Sequence, residues 1–243
     1  LEADRGEMLA GAIAAVYMNI PVVHLSGGDV SGSVDDFIRH SITKLAHIHL
    51  PGTEKSAERI IKMGEEPWRV KVVGTPMNMG ADMSMQEIEN ALGIKIESPL
   101  LLVVQHPVTS ETEDAGKQME ETMKAVDELG KKTIVVYPNS DAGNKEMIKV
   151  IEKYSEKPLI STYRNIESEI FMSLLRNADV MIGNSSSGIV EAPFFRLPAV
   201  NIGTRQKGRE RGDNVIDAGY SKKEISAAIE KALDKNWRKS IGQ

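Results

Sequence analysis

The chain has 243 residues, enough for one large domain or two modest ones, and its 30 basic and 35 acidic side chains give a formal net charge of −5. Nucleic-acid-binding domains carry a basic face with aromatic stacking platforms, so this acidic chain with only two Trp, five Tyr and four Phe is not expected to bind nucleic acid. The absence of cysteine excludes a disulfide framework, thiolate metal ligation and cysteine catalysis.

No apolar run reaches the roughly 18–20 residues that span a bilayer. The chain also lacks an opening basic-then-apolar signal, so we expect a cytoplasmic protein without a membrane partner. A helical pattern begins by about residue 6 with no strand before it, as in a chain that starts within a domain.

Short apolar runs alternate with longer amphipathic ones along the chain. The predicted helices and strands, in chain order, are helix 5–18, strand 21–25, helix 35–45, strand 47–50, helix 54–63, strand 70–73, helix 85–92, strand 100–105, helix 113–129, strand 133–137, helix 145–154, strand 159–162, helix 166–175, strand 180–182, helix 189–195, strand 199–202 and helix 222–233. Most strand candidates are continuous Val/Ile/Leu runs, which is typical of parallel strands buried on both faces. The order predicts doubly wound α/β sheets with right-handed crossovers.

A polar stretch containing Gly and Pro at residues 74–82 marks one clear boundary. We interpret it as the hinge between residues 1–76, the C-terminal part of a first Rossmann-like domain, and residues 77–243, a second Rossmann-like domain. Three helices also carry the Ser-x-x-Glu capping-box pattern, beginning at Ser84, Ser110 and Ser221.

Ligands of open parallel sheets bind outside the carboxyl ends of the strands, so the residues that follow strands are the site candidates. Ser185 and Ser186 follow the strand 180–182 and precede a helix, whose N-terminus favours an anion; Glu191 lies about one turn into that helix. The alternative is an ordinary helix cap with solvated hydroxyls.

The next strand ends in Gly203, Thr204 and Arg205, and an arginine beside a small turn can clamp a phosphate. His106 directly follows the strand 100–105, on the same predicted edge. A single histidine there is also consistent with a loop residue whose hydrogen bonds are satisfied.

Carboxylates near strand and helix ends provide candidates for proton transfer. Asp4, Asp29 and Asp35, converging in one cleft, would suit abstraction and return of a proton at an uncharged carbon. Each also has a simpler explanation: Asp4 with Glu7 fits a capping box, and Asp35 complements a helix dipole.

His40, His47 and His49 do not have the spacing of a zinc helix motif, so no metal is expected. P-loop, dinucleotide-binding and nucleophile-elbow motifs are also missing from the sequence.

Six ordered motifs at 4–10, 24–29, 38–47, 105–107, 183–188 and 201–206 resemble the hydrolysing UDP-N-acetylglucosamine 2-epimerase family. The Arg-His-Ser-Ile-Thr-Lys run at 39–44 favours the hydrolysing branch over the non-hydrolysing one. The resemblance implies two Rossmann-like domains in a GT-B-like fold. The family's first domain begins with about three βα units before the position of Asp4, so the first domain is expected to be incomplete at its N-terminus.

The resemblance also implies a reaction: UDP is eliminated to leave a 2-acetamidoglucal, and water adds to give N-acetylmannosamine, a precursor for sialic-acid-type sugars. No cofactor is required, and a homo-oligomer is expected. By motif position Asp4, Asp29 and Asp35 would be the acid/base carboxylates, and His106 would stabilise departing UDP or carry protons to it. The UDP-binding residues would be Ser185, Ser186, Glu191, Gly203, Thr204 and Arg205.

Three other functions stay open at this point. The substrate could be a UDP-diacetamido-trideoxy sugar, the protein could be a UDP-sugar glycosyltransferase of the same architecture, or the chain could be a non-catalytic nucleotide-sugar-binding fragment.

Overall fold

The computed structural model describes residues 1, 5–32, 34–75 and 82–242. The chain forms two compact units: unit 1 comprises Leu1–Asn78 with Lys207–Arg209, and unit 2 comprises Met79–Gln206 with Glu210–Gln243. The predicted boundary at residue 76 lies outside the described residues and stays a prediction. Both units combine helices with parallel strands, so the predicted α/β class is confirmed.

Unit 1 combines a small parallel sheet with helices. Its elements are α1 (Gly6–Tyr17), β1 (Val23–Leu25), α2 (Asp35–Leu45), β2 (Ile48–Leu50), α3 (Glu54–Lys62) and a 3-10 turn (Pro67–Arg69). β1 and β2 pair in register, which places His24 opposite His49 on the buried face.

The predicted strand at 70–73 is wrong. Only Val70 bridges to His49, and the chain beyond it runs beside β2 through two donated bonds, from Lys71 N–H to the His49 carbonyl (2.9 Å) and from Val73 N–H to the Pro51 carbonyl (3.1 Å). A ladder needs consecutive bridges, whereas the structure has a single isolated bridge here.

Unit 2 is a doubly wound parallel sheet. Its elements are α4 (Met85–Leu92), β3 (Leu100–Val104), a 3-10 turn (Thr112–Asp114), α5 (Ala115–Leu129), β4 (Lys132–Val136), α6 (Asn144–Tyr154), β5 (Ile160–Tyr163), α7 (Ser168–Asn177), β6 (Val180–Gly183), α8 (Ser187–Val190), a second 3-10 turn (Ala192–Phe195), β7 (Ala199–Ile202), β8 (Val215–Ala218), α9 (Lys222–Leu233) and α10 (Lys235–Ser240). The strand order is β5-β4-β3-β6-β7-β8. The order reverses between β3 and β6, and such a switch point is where doubly wound sheets bind ligands.

The core explains why these runs become strands. Every residue of β3 is buried. Leu101 and Val103 pack in the cluster that α5, α6 and α9 cover, whereas Leu100 and Leu102 are buried outside that cluster. Burial on both faces requires an apolar side chain at every position, which is the pattern seen in the sequence.

The three predicted capping boxes at helix starts differ in outcome. The capping box of Ser84 and Glu87 is confirmed, and the Ser221 hydroxyl accepts from the Glu224 N–H. The box at Ser110 is wrong, because α5 begins only at Ala115 after the 3-10 turn. β8 and α10 were not predicted.

Candidate active site

His106 stands at the switch point, two residues after the end of β3, and its imidazole is partly buried. The N–H of Asn139 donates to Nδ1 of His106 (3.1 Å), so in the neutral ring the proton is on Nε2. Burial, and to a smaller extent the nearby Arg205 cation, lower the pKa of His106 to about 4 against the opposing effect of Asp141. At neutral pH the ring is therefore an uncharged hydrogen-bond donor.

Asn184, the first residue after β6, holds His106 from the neighbouring strand. Its Oδ1 accepts from the His106 N–H (2.7 Å), and its Nδ2 donates to the His106 carbonyl (2.8 Å). Asn184 is only 1% exposed. Sequence reasoning placed this residue in a motif but gave it no role; its position directly after a buried strand was the available signal.

Arg205 is tied to the same residue. The main-chain carbonyl of Asn184 accepts from Nη1 of Arg205 (3.2 Å) and from Nε2 of Gln206 (2.8 Å). Arg205 also lies close enough to His106 to lower its pKa. The structure thus brings together His106 and Arg205, which the sequence analysis identified as two independent candidates.

The serine run follows a different local course from the predicted one. α8 is a single turn at Ser187–Val190, and a 3-10 turn replaces the rest of the predicted helix 189–195. A four-residue helix has little of the macrodipole on which the predicted anion site relied. Ser185 and Ser186 are partly buried ahead of this turn, the Ser185 Oγ accepts from the Ser187 N–H (3.3 Å), and Glu191 lies between the two turns.

Thr204 takes part in hydrogen bonds that were not foreseen. Its Oγ1 donates to Glu111 (2.5 Å), and its N–H donates to the hydroxyl of Tyr220 (3.2 Å). Tyr220 in turn donates to the other Glu111 oxygen (2.6 Å). Burial opposes ionisation of Glu111, but the bonds from Thr204, Tyr220 and Gln118 hold its pKa below the usual value.

Gly203 is fixed in the left-handed region, with φ of 73°. A Cβ at this position would lie 2.1 Å from the Tyr220 ring, so only glycine allows the ring to pack against the turn. Glu111 and Tyr220 were not predicted, because 109 residues separate them and no local pattern links them.

Asp29 lies in the loop after β1 within unit 1. Its Oδ2 accepts from Nε of Arg209 (2.7 Å) and its Oδ1 from the Val30 N–H (2.9 Å). The Asp29 carbonyl accepts from Nη1 of Arg39 (3.0 Å). Arg59 also donates to the neighbouring Gly28 carbonyl. The loop is thus held by three arginines, and both Asp29 carboxylate oxygens already accept hydrogen bonds.

Asp35 and Asp36 differ although both begin α2. Asp36 accepts from the N–H and hydroxyl of Ser31 (2.8 Å each), the Gly32 N–H (3.0 Å) and Nη1 of Arg39 (2.7 Å). Burial opposes ionisation, but these bonds hold the pKa of Asp36 below its usual value. Asp36 is thus a structural carboxylate. Asp35 is partly buried beside it, and Asp4 lies outside the described residues.

Residues 1, 5–32, 34–75 and 82–242 offer neither a metal cluster nor a membrane-spanning helix. No group of three or more His, Asp or Glu side chains in these ranges is arranged to hold a metal ion. In the same ranges no helix has the length and apolar character needed to cross a bilayer.

The order reversal at β3 and β6, with a neutral histidine and an arginine beside it, defines a doubly wound α/β protein whose polar donors gather at the switch point. The model of the UDP-N-acetylglucosamine 2-epimerase family matches residues 1–243, and the chain belongs to this family.

Known relatives agree with this assignment. The chain is 41% identical over 239 residues to a UDP-N,N'-diacetylbacillosamine 2-epimerase (hydrolyzing) of Legionella pneumophila, covering 96% of this chain and 63% of the relative. It is 36% identical over 236 residues to a UDP-N-acetylglucosamine 2-epimerase of Neisseria meningitidis, covering 96% and 62%. The chain therefore spans about three fifths of the length of these curated relatives.

A solved structure gives the fold. The crystal structure of the Neisseria meningitidis UDP-GlcNAc 2-epimerase bound to UDP-GlcNAc matches with a TM-score of 0.77 at 17% identity, covering 99% of this chain and 69% of that one. This likeness confirms the predicted GT-B-like fold class.

Proposed function

We propose that the protein to which this chain belongs is a hydrolysing 2-epimerase of a UDP-linked 2-acetamido sugar. The observation that supports this most is the pairing of His106 and Arg205 through Asn184 at the switch point, in a chain of the epimerase family. An uncharged imidazole N–H and a guanidinium side by side are suited to a diphosphate.

The proposed reaction has two steps. In the first, a carboxylate removes the proton from C2 of the sugar, the bond between C1 and the diphosphate oxygen breaks, and UDP leaves from a 2-acetamidoglucal. In the second, water adds across the double bond: its hydroxyl goes to C1 and a proton returns to C2 on the opposite face. The products are UDP and the free 2-acetamido sugar with inverted C2.

His106 would act on the departing diphosphate as a hydrogen-bond donor. Because its pKa is about 4, the ring carries no extra proton to give at neutral pH. This favours charge stabilisation over the proton delivery that the sequence left open. Arg205 would neutralise the same charge, and Ser185, Ser186 and Glu191 would hold the rest of UDP, as the motif positions imply.

For proton transfer, Asp35 keeps the acid/base role that its motif position implies. Both oxygens of Asp29 accept hydrogen bonds, one of them from Arg209, so Asp29 is better suited to orienting that cation. Asp4 retains the role that its motif position implies.

A second sugar has specific support. Relatives at 41% and 35% identity, from Legionella pneumophila and Campylobacter jejuni, carry the name of diacetylbacillosamine 2-epimerases. A UDP-diacetamido-trideoxy sugar is therefore the second candidate substrate beside UDP-N-acetylglucosamine.

The test is incubation of the full-length protein with each UDP-sugar in D₂O, followed by NMR. The proposal expects free UDP with a free mannose-configured 2-acetamido sugar that carries deuterium at C2. A UDP-mannose-configured product with no free UDP would indicate a non-hydrolysing epimerase instead. UDP release only with an added acceptor would indicate a glycosyltransferase, and no turnover of either sugar would reject the proposal.

A further inference from the structure

Asn184 forms hydrogen bonds with His106 and Arg205, the two residues that we propose bind the diphosphate. Asn184 itself is buried, so it does not contact the diphosphate. We propose that Asn184 is a positioning residue, whose side chain fixes His106 while its main-chain carbonyl fixes Arg205, so that the two donors serve one anion. Only the identity of that anion rests on the proposed function.

The Asn184 carboxamide acts as a substitute peptide group at the end of the sheet. β3 and β6 are paired up to Val104 and Gly183, and both the Asn184 and Ser185 N–H groups then point to the Val104 carbonyl (3.2 and 3.3 Å). Beyond this point the Oδ1 and Nδ2 atoms of Asn184 continue the pairing, bonding to the N–H and carbonyl of His106. An asparagine supplies both an acceptor and a donor at this length, whereas an aspartate supplies only acceptors.

The Asn184 main chain is aimed by the residue before it. Gly183 has φ of 133°, and a Cβ there would lie 2.1 Å from the Val104 carbonyl oxygen. This conformation turns the chain out of β6, where the Asn184 carbonyl accepts from Arg205 and Gln206. One residue therefore bonds to His106 on one side and to Arg205 on the other.

The first experiment measures the pKa of His106 by NMR and needs no ligand. The charged groups that act on this ring are Arg205 and Asp141, and burial has the largest effect. In Asn184→Ala we expect the His106 pKa to rise from about 4 by at least about one unit toward the ordinary value of roughly 6.5, because the ring is no longer held in its buried place beside Arg205. An unchanged pKa in a folded Asn184→Ala protein would overturn the proposal.

Asn214→Ala is the matched control. Asn214 is also buried, and its side chain also makes two hydrogen bonds to the main chain, donating to the carbonyls of Gly188 (3.1 Å) and Leu197 (2.9 Å). It has no bond to His106 or Arg205 among those of the described residues. The control variant should lose comparable stability while the His106 pKa stays where it is; a similar rise in both variants would show a general loosening and reject a specific role for Asn184.

The second experiment measures UDP affinity by calorimetry in a double-mutant cycle. Asn184→Ala should weaken UDP binding about tenfold or more, and Arg205→Ala should then cost less in that background than in the wild type. Additive losses would contradict the positioning role. If the wild-type protein binds no UDP, the proposed function fails, whereas the His106 pKa result still decides the role of Asn184.

Asn184→Asp covers the case in which the alanine variant does not fold. It keeps an acceptor for the His106 N–H but loses the donor to the His106 carbonyl, so UDP should bind more weakly than to the wild type.

Amide hydrogen exchange on the wild-type protein adds a measurement that needs no substitution. Slow exchange of the His106 N–H is expected, and exchange as fast as in an exposed loop would overturn the proposal.

Discussion

Nε of Arg209 donates to Oδ2 of Asp29 over 2.7 Å, and the two side chains are only 11% and 26% exposed. Arg209 belongs to the short segment Lys207–Arg209 that is part of unit 1, so a loop far along the chain supplies the cation for the carboxylate after β1. Substitution of either partner should therefore affect how firmly unit 1 is folded.

Asp29→Asn should lower the free energy of unfolding by about 1.5–3 kcal/mol, as expected when a partly buried charged hydrogen bond loses one partner. Arg209→Gln should cost about the same. Because each variant removes the same interaction, the double variant should cost clearly less than the sum of the two, which urea unfolding can measure. Additive losses would mean that the ion pair contributes nothing to stability.

Substitution of the neighbouring residues Asp35 and Asp36 should affect different properties, turnover for Asp35 and stability for Asp36. Asp36→Asn should lower stability by about 1.5–3 kcal/mol, because it weakens bonds from Ser31, Gly32 and Arg39 to a charged acceptor. Asp35→Asn should reduce turnover at least about tenfold, since acid/base groups contribute factors of this size or more. Thermal unfolding and the UDP-release assay separate the two, and full activity of Asp35→Asn would remove it from the mechanism.

Arg205→Ala should weaken UDP binding by about 1.5–3 kcal/mol, the contribution of a charge-assisted hydrogen bond. Calorimetry measures this directly. Arg238→Ala is the control. Arg238 pairs with Asp179 (2.8 Å), which directly precedes β6 and so lies at the amino ends of the strands, whereas Arg205 follows the carboxyl end of β7. Equal losses in the two variants would point to a general effect of net charge.

The stability of the protein should depend on pH through His106. An unfolded histidine titrates at about 6.5 and folded His106 at about 4, so the unfolded chain binds more protons between these values. The stability that depends on the neutral ring is complete above about pH 6.5 and is lost as the pH falls toward 4, by at most roughly 3 kcal/mol.

His106→Gln should remove this part of the pH dependence. Asp36 and Glu65, whose pKa values are lowered, and His40 and His49, whose pKa values are lowered by burial, add their own dependence in both proteins. The difference between wild type and variant in urea unfolding at pH 4.5 and 7 therefore isolates His106. Parallel curves would contradict the low pKa.

Gly203→Ala should be more damaging than an alanine at another left-handed glycine. Gly64 has φ of 96°, and a Cβ added there would have no neighbouring atom within 4 Å, so Gly64→Ala should cost only the backbone strain of about 1–2 kcal/mol. At Gly203 the methyl group would also meet the Tyr220 ring at 2.1 Å. Urea unfolding should show the larger loss, and Tyr220→Ala should relieve part of it.

Sequence patterns predicted most strands because burial on both faces leaves continuous Val/Ile/Leu runs. β8 was not predicted because Val215–Ala218 is short, includes an aspartate and is the edge strand of the sheet, next to β7. The opposite error at 70–73 arose from an apolar run that forms one bridge and no ladder.

The candidate site was predictable to the extent that its residues follow strands. His106 and Arg205 were found in this way, whereas the bond of Arg205 to Asn184 spans 21 residues and that of Asn184 to His106 spans 78. Glu111 and Tyr220 were missed for the same reason. Which strand ends become neighbours depends on the strand order, and spacing along the chain does not carry that information.

The reversal of strand order has a consequence for folding. β3 and β6 are adjacent in space, but the whole of β4, β5 and the helices between them must be looped out before they meet. Closing so large a loop is entropically costly, so contacts across this seam form slowly compared with local ones. The abnormal ionisation of His106 should therefore be a late marker of refolding, regained only when both halves of the sheet have joined.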